Sequence, residues 1–266
     1  MTLIKKEFKF NFKNLFIWII VITLFNMLYA SLTDFMIEKL EFFVKFLERM
    51  PKQFLSAFNM DVQILSKPEG LIGSEGMTFM FIFFGLYASM LASKMFAGEF
   101  DNKTIEYLLI KPYSRSKIYI NKIFVIFIDI VLLALVFYGS IVMFFLMYVD
   151  QDYSNLVLFG FFLYLLTTEI FFASISVLIS LFFQKRKLTN SITLGLLFFM
   201  YFGVTVTEGV KNTEFLRRIS VFYYMPIRDI VLNQKIYYFN IFMIIILSLL
   251  IVSIARKIFE KKDIII

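Results

Sequence analysis

The sequence predicts an all-α integral membrane protein of six transmembrane helices, on three observations. Of its 266 residues, 60% are hydrophobic and 20% aromatic, while only 18% are charged, against about 25% in ordinary soluble domains. The apolar residues are gathered into runs of roughly 20, the length that crosses about 30 Å of hydrocarbon at about 1.5 Å per residue. There is no cysteine and no histidine. That removes disulfides, Cys/His zinc sites, imidazole general bases, thiolate nucleophiles and His-ligated haem together, so neither soluble catalysis nor a metal site is expected. The net charge of +7 sits in residues that border the apolar runs. It lacks the basic stripe with interleaved aromatics of a nucleic-acid surface, and no nucleic-acid partner is expected.

The six spans run from Leu15 to Leu32, Met77 to Ser93, Ile123 to Val149, Leu156 to Phe183, Leu188 to Val206 and Ile236 to Ala255. The third and fourth exceed what a bilayer needs, so tilt or projection into the cytoplasm is expected. Lysines precede the first run as in a secretory signal. The apolar stretch continues to Leu32 without a clear small-x-small cleavage site, and a retained helix is expected.

Basic residues set the orientation, because Lys and Arg are kept on the cytoplasmic side. One set of flanks holds Lys5, Lys6, Lys9 and Lys13; Lys94, Lys103, Lys111, Arg115, Lys117 and Lys122; Lys185, Arg186 and Lys187; and Arg256, Lys257, Lys261 and Lys262. These are 17 of the 27 basic residues. That side is expected to be cytoplasmic, with both termini on it and the protein a multi-pass component of a cell membrane, the bacterial plasma membrane.

Outside the spans, residues 1–14 place Lys5, Lys9 and Lys13 at i, i+4, i+8, with Ile4, Phe8 and Phe12 at the same spacing one position behind. This predicts an amphipathic helix lying on the inner leaflet, an interfacial elbow; a flank that only sets topology is the alternative. Residues 33–76 form an outer segment in which Asp34, Glu38, Glu41, Lys45 and Glu48 face one way and Met36, Leu40, Phe43 and Leu47 another. An amphipathic helix is expected there, with Pro51 opening a second through Phe58. Gly70, Gly73 and Gly76 are expected to loosen the chain before the second span. No Lys-Ser or Lys-Thr follows them, so they are no phosphate-binding loop. Residues 207–235 form another outer segment, broken at Pro226, whose Phe222, Tyr223, Tyr224 and Met225 suggest partial re-entry into the outer membrane face.

Residues 97–122 carry most of the functional signal. Asp101 or Asn102 is placed to cap a helix whose first turn is acidic and whose last is basic. Pro112 disfavours helical geometry at Lys111 and ends it. Ser114 is then placed to cap the helix that runs through Arg115, Lys117 and Lys122 into the third span. The product is a short helix across the inner surface, tied at both ends to spanning helices. Ile105, Leu108 and Leu109 are available to bury against a partner, and Glu106, Lys111 and Arg115 to orient it. The alternative is an ordinary loop with a proline turn and basic residues.

The ordered set Met50-Pro51 through Phe58, Pro68-Glu69-Gly70, Ala97-Gly98-Glu99, Thr104, Glu106, Leu108-Leu109, Pro112, Ser114-Arg115 and Lys122 resembles the permease subunits of type-2 ATP-binding-cassette (ABC) transporters. The resemblance is densest over residues 50–125, and the six-span layout extends it to the whole chain. The family pattern has Gly immediately before the Thr; Lys103 stands here.

The resemblance implies a single transmembrane permease domain over 1–266 and a pair of such permeases, identical or related. It implies two separate ATPase subunits, which bind ATP and Mg, leaving this chain without a cofactor or catalytic residue; no G-x-x-x-x-G-K-[ST] occurs in it. Glu99, Thr104, Ile105, Glu106, Leu108, Leu109, Pro112, Ser114 and Arg115 would form the coupling element seated on the ATPase. Export of a lipid, peptide, antibiotic or similar amphipathic substrate follows by the same analogy.

Two acids fall inside spans, Asp129 and Glu169. They are either parts of a substrate or ion path, or, for Asp129 above all, hydrated or paired near a helix end. A secondary transporter or channel using them is the alternative function, although no inverted repeat is found. An intramembrane enzyme is disfavoured by the lack of His, Cys and clustered carboxylates, and a purely anchoring or assembling role stays open.

Overall fold

The computed structural model describes residues 3–47, 49–50, 61–106, 113–206 and 214–262; these form helices and their connections, with no strand among the described residues. Six helices are long and apolar enough to cross a membrane.

The first helix, α1 (Leu3–Glu38), is unbroken for 36 residues. The expected elbow and first span are joined, because no Gly or Pro lies in residues 3–38 to interrupt the backbone ladder. Lys5, Lys9 and Lys13 are exposed, but the fully inward face is Glu7, Asn11 and Leu15. Of the stripe expected to be apolar and covered, Ile4 and Phe8 are half-buried and Phe12 is exposed.

A turn at Lys39 separates α1 from α2 (Leu40–Leu47), so Asp34 and Glu38 end the first helix instead of opening the outer amphipathic one. The helix expected from Pro51 to Phe58 lies outside the described residues. A short α3 (Val62–Leu65) is capped by Asp61, which accepts from the Gln63 N–H at 2.8 Å.

The glycines that follow do not loosen the chain. Ile72–Gly76 form a π-helical turn that runs straight into α4 (Met77–Met95). A Cβ at Gly70 would lie 1.9 Å from the Ile64 carbonyl oxygen, so the absent side chain lets two backbone segments touch.

After α5 (Ala97–Asp101) come the long helices α6 (Arg115–Tyr148) and α7 (Asn155–Phe183), then α8 (Arg186–Val206). The outer segment resumes with α9 (Glu214–Ile219), a 3-10 turn over Val221–Tyr224 and α10 (Ile227–Asn233), for which Pro226 stands as N-cap. The last span is α11 (Tyr238–Lys261). Phe222 of the 3-10 turn is buried against the bundle, its ring 5.1 Å from Phe81, 5.2 Å from Tyr201 and 5.9 Å from Phe172.

Helices α4 and α7 pack on each other at the centre, α8 and α11 lean on them, and α1 lies along α6. Hydroxyls within the spans bond back to their own helix, as Thr168 does to the Tyr164 carbonyl at 2.9 Å and Ser180 to that of Ser176 at 2.7 Å, which satisfies them without water. Others tie helices together. Asn26 donates to the Phe137 carbonyl at 3.0 Å and to Ser140 at 2.8 Å, and Ser176 donates to the Ser89 carbonyl at 2.8 Å. The outward faces are apolar: Leu24 and Leu28 of α1, Phe127 and Leu146 of α6, and Phe242 and Leu250 of α11 are exposed. Such a surface suits lipid tails rather than water.

Candidate functional site

The segment singled out by sequence starts from a buried ion cluster. Lys122, about two turns into α6, is 1% exposed and reaches Glu7 of α1 at 2.9 Å and Glu99 of α5 at 3.1 Å. A lone ammonium cannot stay in such a place, and two carboxylates supply the compensating charge. Glu99 also accepts from the Thr104 hydroxyl, which closes the turn that follows α5. Three helices are therefore pinned at one end of the bundle, at the start of the expected coupling element.

The local backbone corrects one expectation. Asp101 and Asn102 do not cap a new helix; they end α5, with Asn102 as its C-cap. The chain reverses through Lys103, which adopts φ 56°. This left-handed conformation is the one that glycine adopts freely and a Cβ resists, which gives a physical reason for the family's glycine at this place. Helical geometry resumes at Ile105 and Glu106. Ile105 is buried within this chain, 4% exposed, and Glu106 is partly exposed. Leu108, Leu109 and Pro112 fall in residues 107–112, outside the described residues.

Ser114 caps α6, accepting from the Lys117 N–H at 3.3 Å. Arg115 turns toward the end of α11, donating to the Lys262 carbonyl at 2.5 Å and to that of Glu260 at 3.4 Å. Beside it, Phe96, Tyr119 and Phe259 interlock α4, α6 and α11 with ring centroids 5.3 to 6.1 Å apart. Among the described residues, Glu99 is thus tied to Lys122 of α6, Thr104 to Glu99, and Arg115 to the end of α11.

Asp129 and Glu169 lie deeper. Both are 0% exposed, and neither carboxylate has a hydrogen-bond partner among the described residues. The same holds for the hydroxyl of Tyr87 on α4. Lys94 stands in the last turn of α4. Its amine sits 4.0 Å over the Phe10 ring and donates to the Phe10 carbonyl at 3.4 Å. Asp129 lies seven residues beyond Lys122, about 10 Å along the helix. Glu169 occupies the middle of α7.

With this geometry in place, the comparison with known families is decisive: the family described as ABC-2 family transporter protein matches residues 1–264. The chain belongs to the ABC-2 transporter family. No curated protein matches it. As an ABC-2 transporter protein it is a component of membrane transport rather than an enzyme, and the partners its family implies are ABC ATPases.

Sequence reasoning missed two members of these clusters in the ABC-2 chain. Glu7 was hidden among lysines; its signal is its i, i+4, i+8 relation to Asn11 and Leu15. Tyr87 carries no such signal, since a tyrosine in an apolar helix is ordinary packing until its hydroxyl is found unpaired.

Proposed function

We propose that this chain is the permease subunit of an ABC exporter for a lipid, peptide, antibiotic or similar amphipathic substrate. Two copies, or this chain and a related one, pair as a single-domain permease in a bacterial plasma membrane, with both termini in the cytoplasm. Two separate ATPase subunits bind ATP and Mg and seat the segment from Glu99 to Arg115 as their coupling element. The residue 1–14 region acts as the inner-leaflet foot, and the 207–235 segment enters the outer membrane face.

One observation carries the coupling role: Lys122 holds Glu99 to Glu7 inside the bundle. A push on the segment that begins at Glu99 is passed at once to α1 and α6, because a buried ion cluster resists separation where a solvated loop would flex. Closure of the ATPase pair would then bias the bundle between inward-open and outward-open states. Asp129 and Glu169 line the substrate or ion path in this reading, supported by their complete burial without a hydrogen-bond partner among the described residues.

The test is co-purification with an ABC ATPase produced together with this chain, using Glu106→Ala, Leu109→Ala and Arg115→Ala. Each variant is expected to weaken ATPase association or to uncouple hydrolysis from transport, with the membrane fold retained. Normal co-purification and normal transport by all three would overturn the coupling assignment.

A further inference from the structure

At the end of the bundle opposite the ion cluster, a cavity of about 230 Å³ opens between the end of α8, the 3-10 turn and α10, with Phe81 of α4 in its wall. Its wall is aromatic and apolar: Tyr201, Phe222, Tyr223, Met225 and Ile227 line it together with Phe81. The Phe81, Tyr201 and Phe222 rings pack against one another with centroids 5.1 to 6.4 Å apart, so this side of the cavity is preformed. Preformed concave sites with an apolar wall and a small number of fixed polar groups are the usual form of a small-molecule site.

The charged groups in the wall are Arg217, Arg228 and Asp229. Two of the three are committed elsewhere. Arg228 pairs with Asp61 and donates to Gln63 at 2.7 Å. Asp229 accepts from the Tyr237 hydroxyl through one of its carboxylate oxygens. Arg217 is different: its guanidinium stands 5.3 Å from the Tyr223 ring centroid, and its Nε is buried with no hydrogen-bond partner among the described residues. A guanidinium keeps its charge at every accessible pH and presents donors in a planar fork that fits an oxyanion. Held by an aromatic face with a donor unspent, it selects a negative group; the surrounding rings and Met225 select an apolar body.

We infer that this cavity binds an oxyanion-headed amphiphile, a molecule with a phosphate or carboxylate at Arg217 and an alkyl or aromatic portion along Phe81, Tyr201 and Phe222. The inference concerns binding alone and stands whether or not the bound molecule is carried.

The experiment uses the full-length chain in neutral maltoside micelles, with dodecyl phosphate, dodecyltrimethylammonium and inorganic phosphate as probes. Dodecyl phosphate is expected to raise the thermal unfolding midpoint at concentrations where the other two do not. Arg217→Gln is expected to abolish the shift, and Arg217→Lys, which keeps the charge but not the fork, to retain part of it. An equal shift with the cationic amphiphile, or an undiminished one in Arg217→Gln, overturns the inference. A full shift with inorganic phosphate alone reassigns the site to a free anion and overturns the amphiphile class. Because the chain has no cysteine, Thr205→Cys, at another residue of the cavity wall, supplies a second readout that leaves Arg217 in place. Dodecyl phosphate should slow its modification by a small thiol reagent severalfold, and unchanged labelling would also count against the site.

Discussion

Lys122 of α6 and Glu7 of α1 form an ion pair of 2.9 Å, with the lysine side chain 1% exposed, between residues 115 positions apart. Neither residue has the solvent that normally makes a surface pair weak, and Glu99 completes the cluster from a third helix.

Removing the cation is therefore expected to be severe. Lys122→Met leaves two largely buried carboxylates facing each other and should cost about 3 to 5 kcal/mol. A lower unfolding midpoint of the purified chain would show it. The triple variant Lys122→Met, Glu7→Gln, Glu99→Gln removes all three charges and should recover most of the loss, since a neutral cluster has little to desolvate. Recovery that fails, with the single variant already harmless, would mean that the cluster is not what joins these helices.

The strained turn at Lys103 gives an opposite sign. Lys103→Gly relieves the Cβ contact of a left-handed residue, worth about 1 to 2 kcal/mol, against a loss of about 0.4 to 1 kcal/mol from the greater freedom of the unfolded chain. A net gain of a few tenths to about 1 kcal/mol is expected, read as a raised midpoint. Lys103→Val, branched at Cβ, should lower it, and a ranking of Val above Gly would contradict the turn as described.

Asp129→Asn and Glu169→Gln separate packing from transport. Each swaps a buried acid for a neutral side chain of the same shape, so the unfolding midpoint should hold or rise. If the acids line the path, transport by the complex with its ATPase should fall at least about tenfold, equivalent to about 1.4 kcal/mol in the barrier. Transport at the unaltered rate in both variants would remove the acids from the mechanism and leave them as core residues.

Tyr237, outside the spans, yields a pH dependence. Its hydroxyl donates to Asp229, and that hydrogen bond, more than burial, raises its pKa above the ordinary tyrosine value. A group raised on folding stabilises the fold fully below its unfolded pKa, about 10, and loses that contribution as pH climbs through the folded value. Compared with the native chain, Tyr237→Phe should melt lower at pH 7 and show less decline as pH climbs above about 10. Subtraction of the two melting profiles isolates this residue from the other tyrosines; parallel profiles would show that the contact carries no stability.

The amount legible in the sequence differs from one element to the next. The six spans were readable because hydrocarbon imposes a length and a composition on any helix that crosses it, which is a local rule. The break at Pro226 and the cap at Ser114 were readable for the same reason, being backbone chemistry confined to adjacent residues. The family glycine missing at Lys103 pointed to a special turn, and the left-handed φ shows why a glycine suits it. Glycines 70, 73 and 76 were misread as loosening the chain, since sequence cannot distinguish a glycine that frees the backbone from one that admits a neighbour's carbonyl.

By itself, then, the order of residues determined that this chain forms long apolar helices, where most of them stop, and which ends carry the positive charge. Only the tertiary structure decided that Lys122 meets Glu7 and Glu99, that Tyr87, Asp129 and Glu169 are buried with polar atoms lacking a hydrogen-bond partner among the described residues, and that Arg217 backs an aromatic cavity. Span formation depends on energies summed over neighbouring residues. These pairings instead depend on which helix face turns toward which across separations of 23 residues, for Lys122 and Glu99, to 115, for Lys122 and Glu7, and no periodicity in a single stretch records that choice.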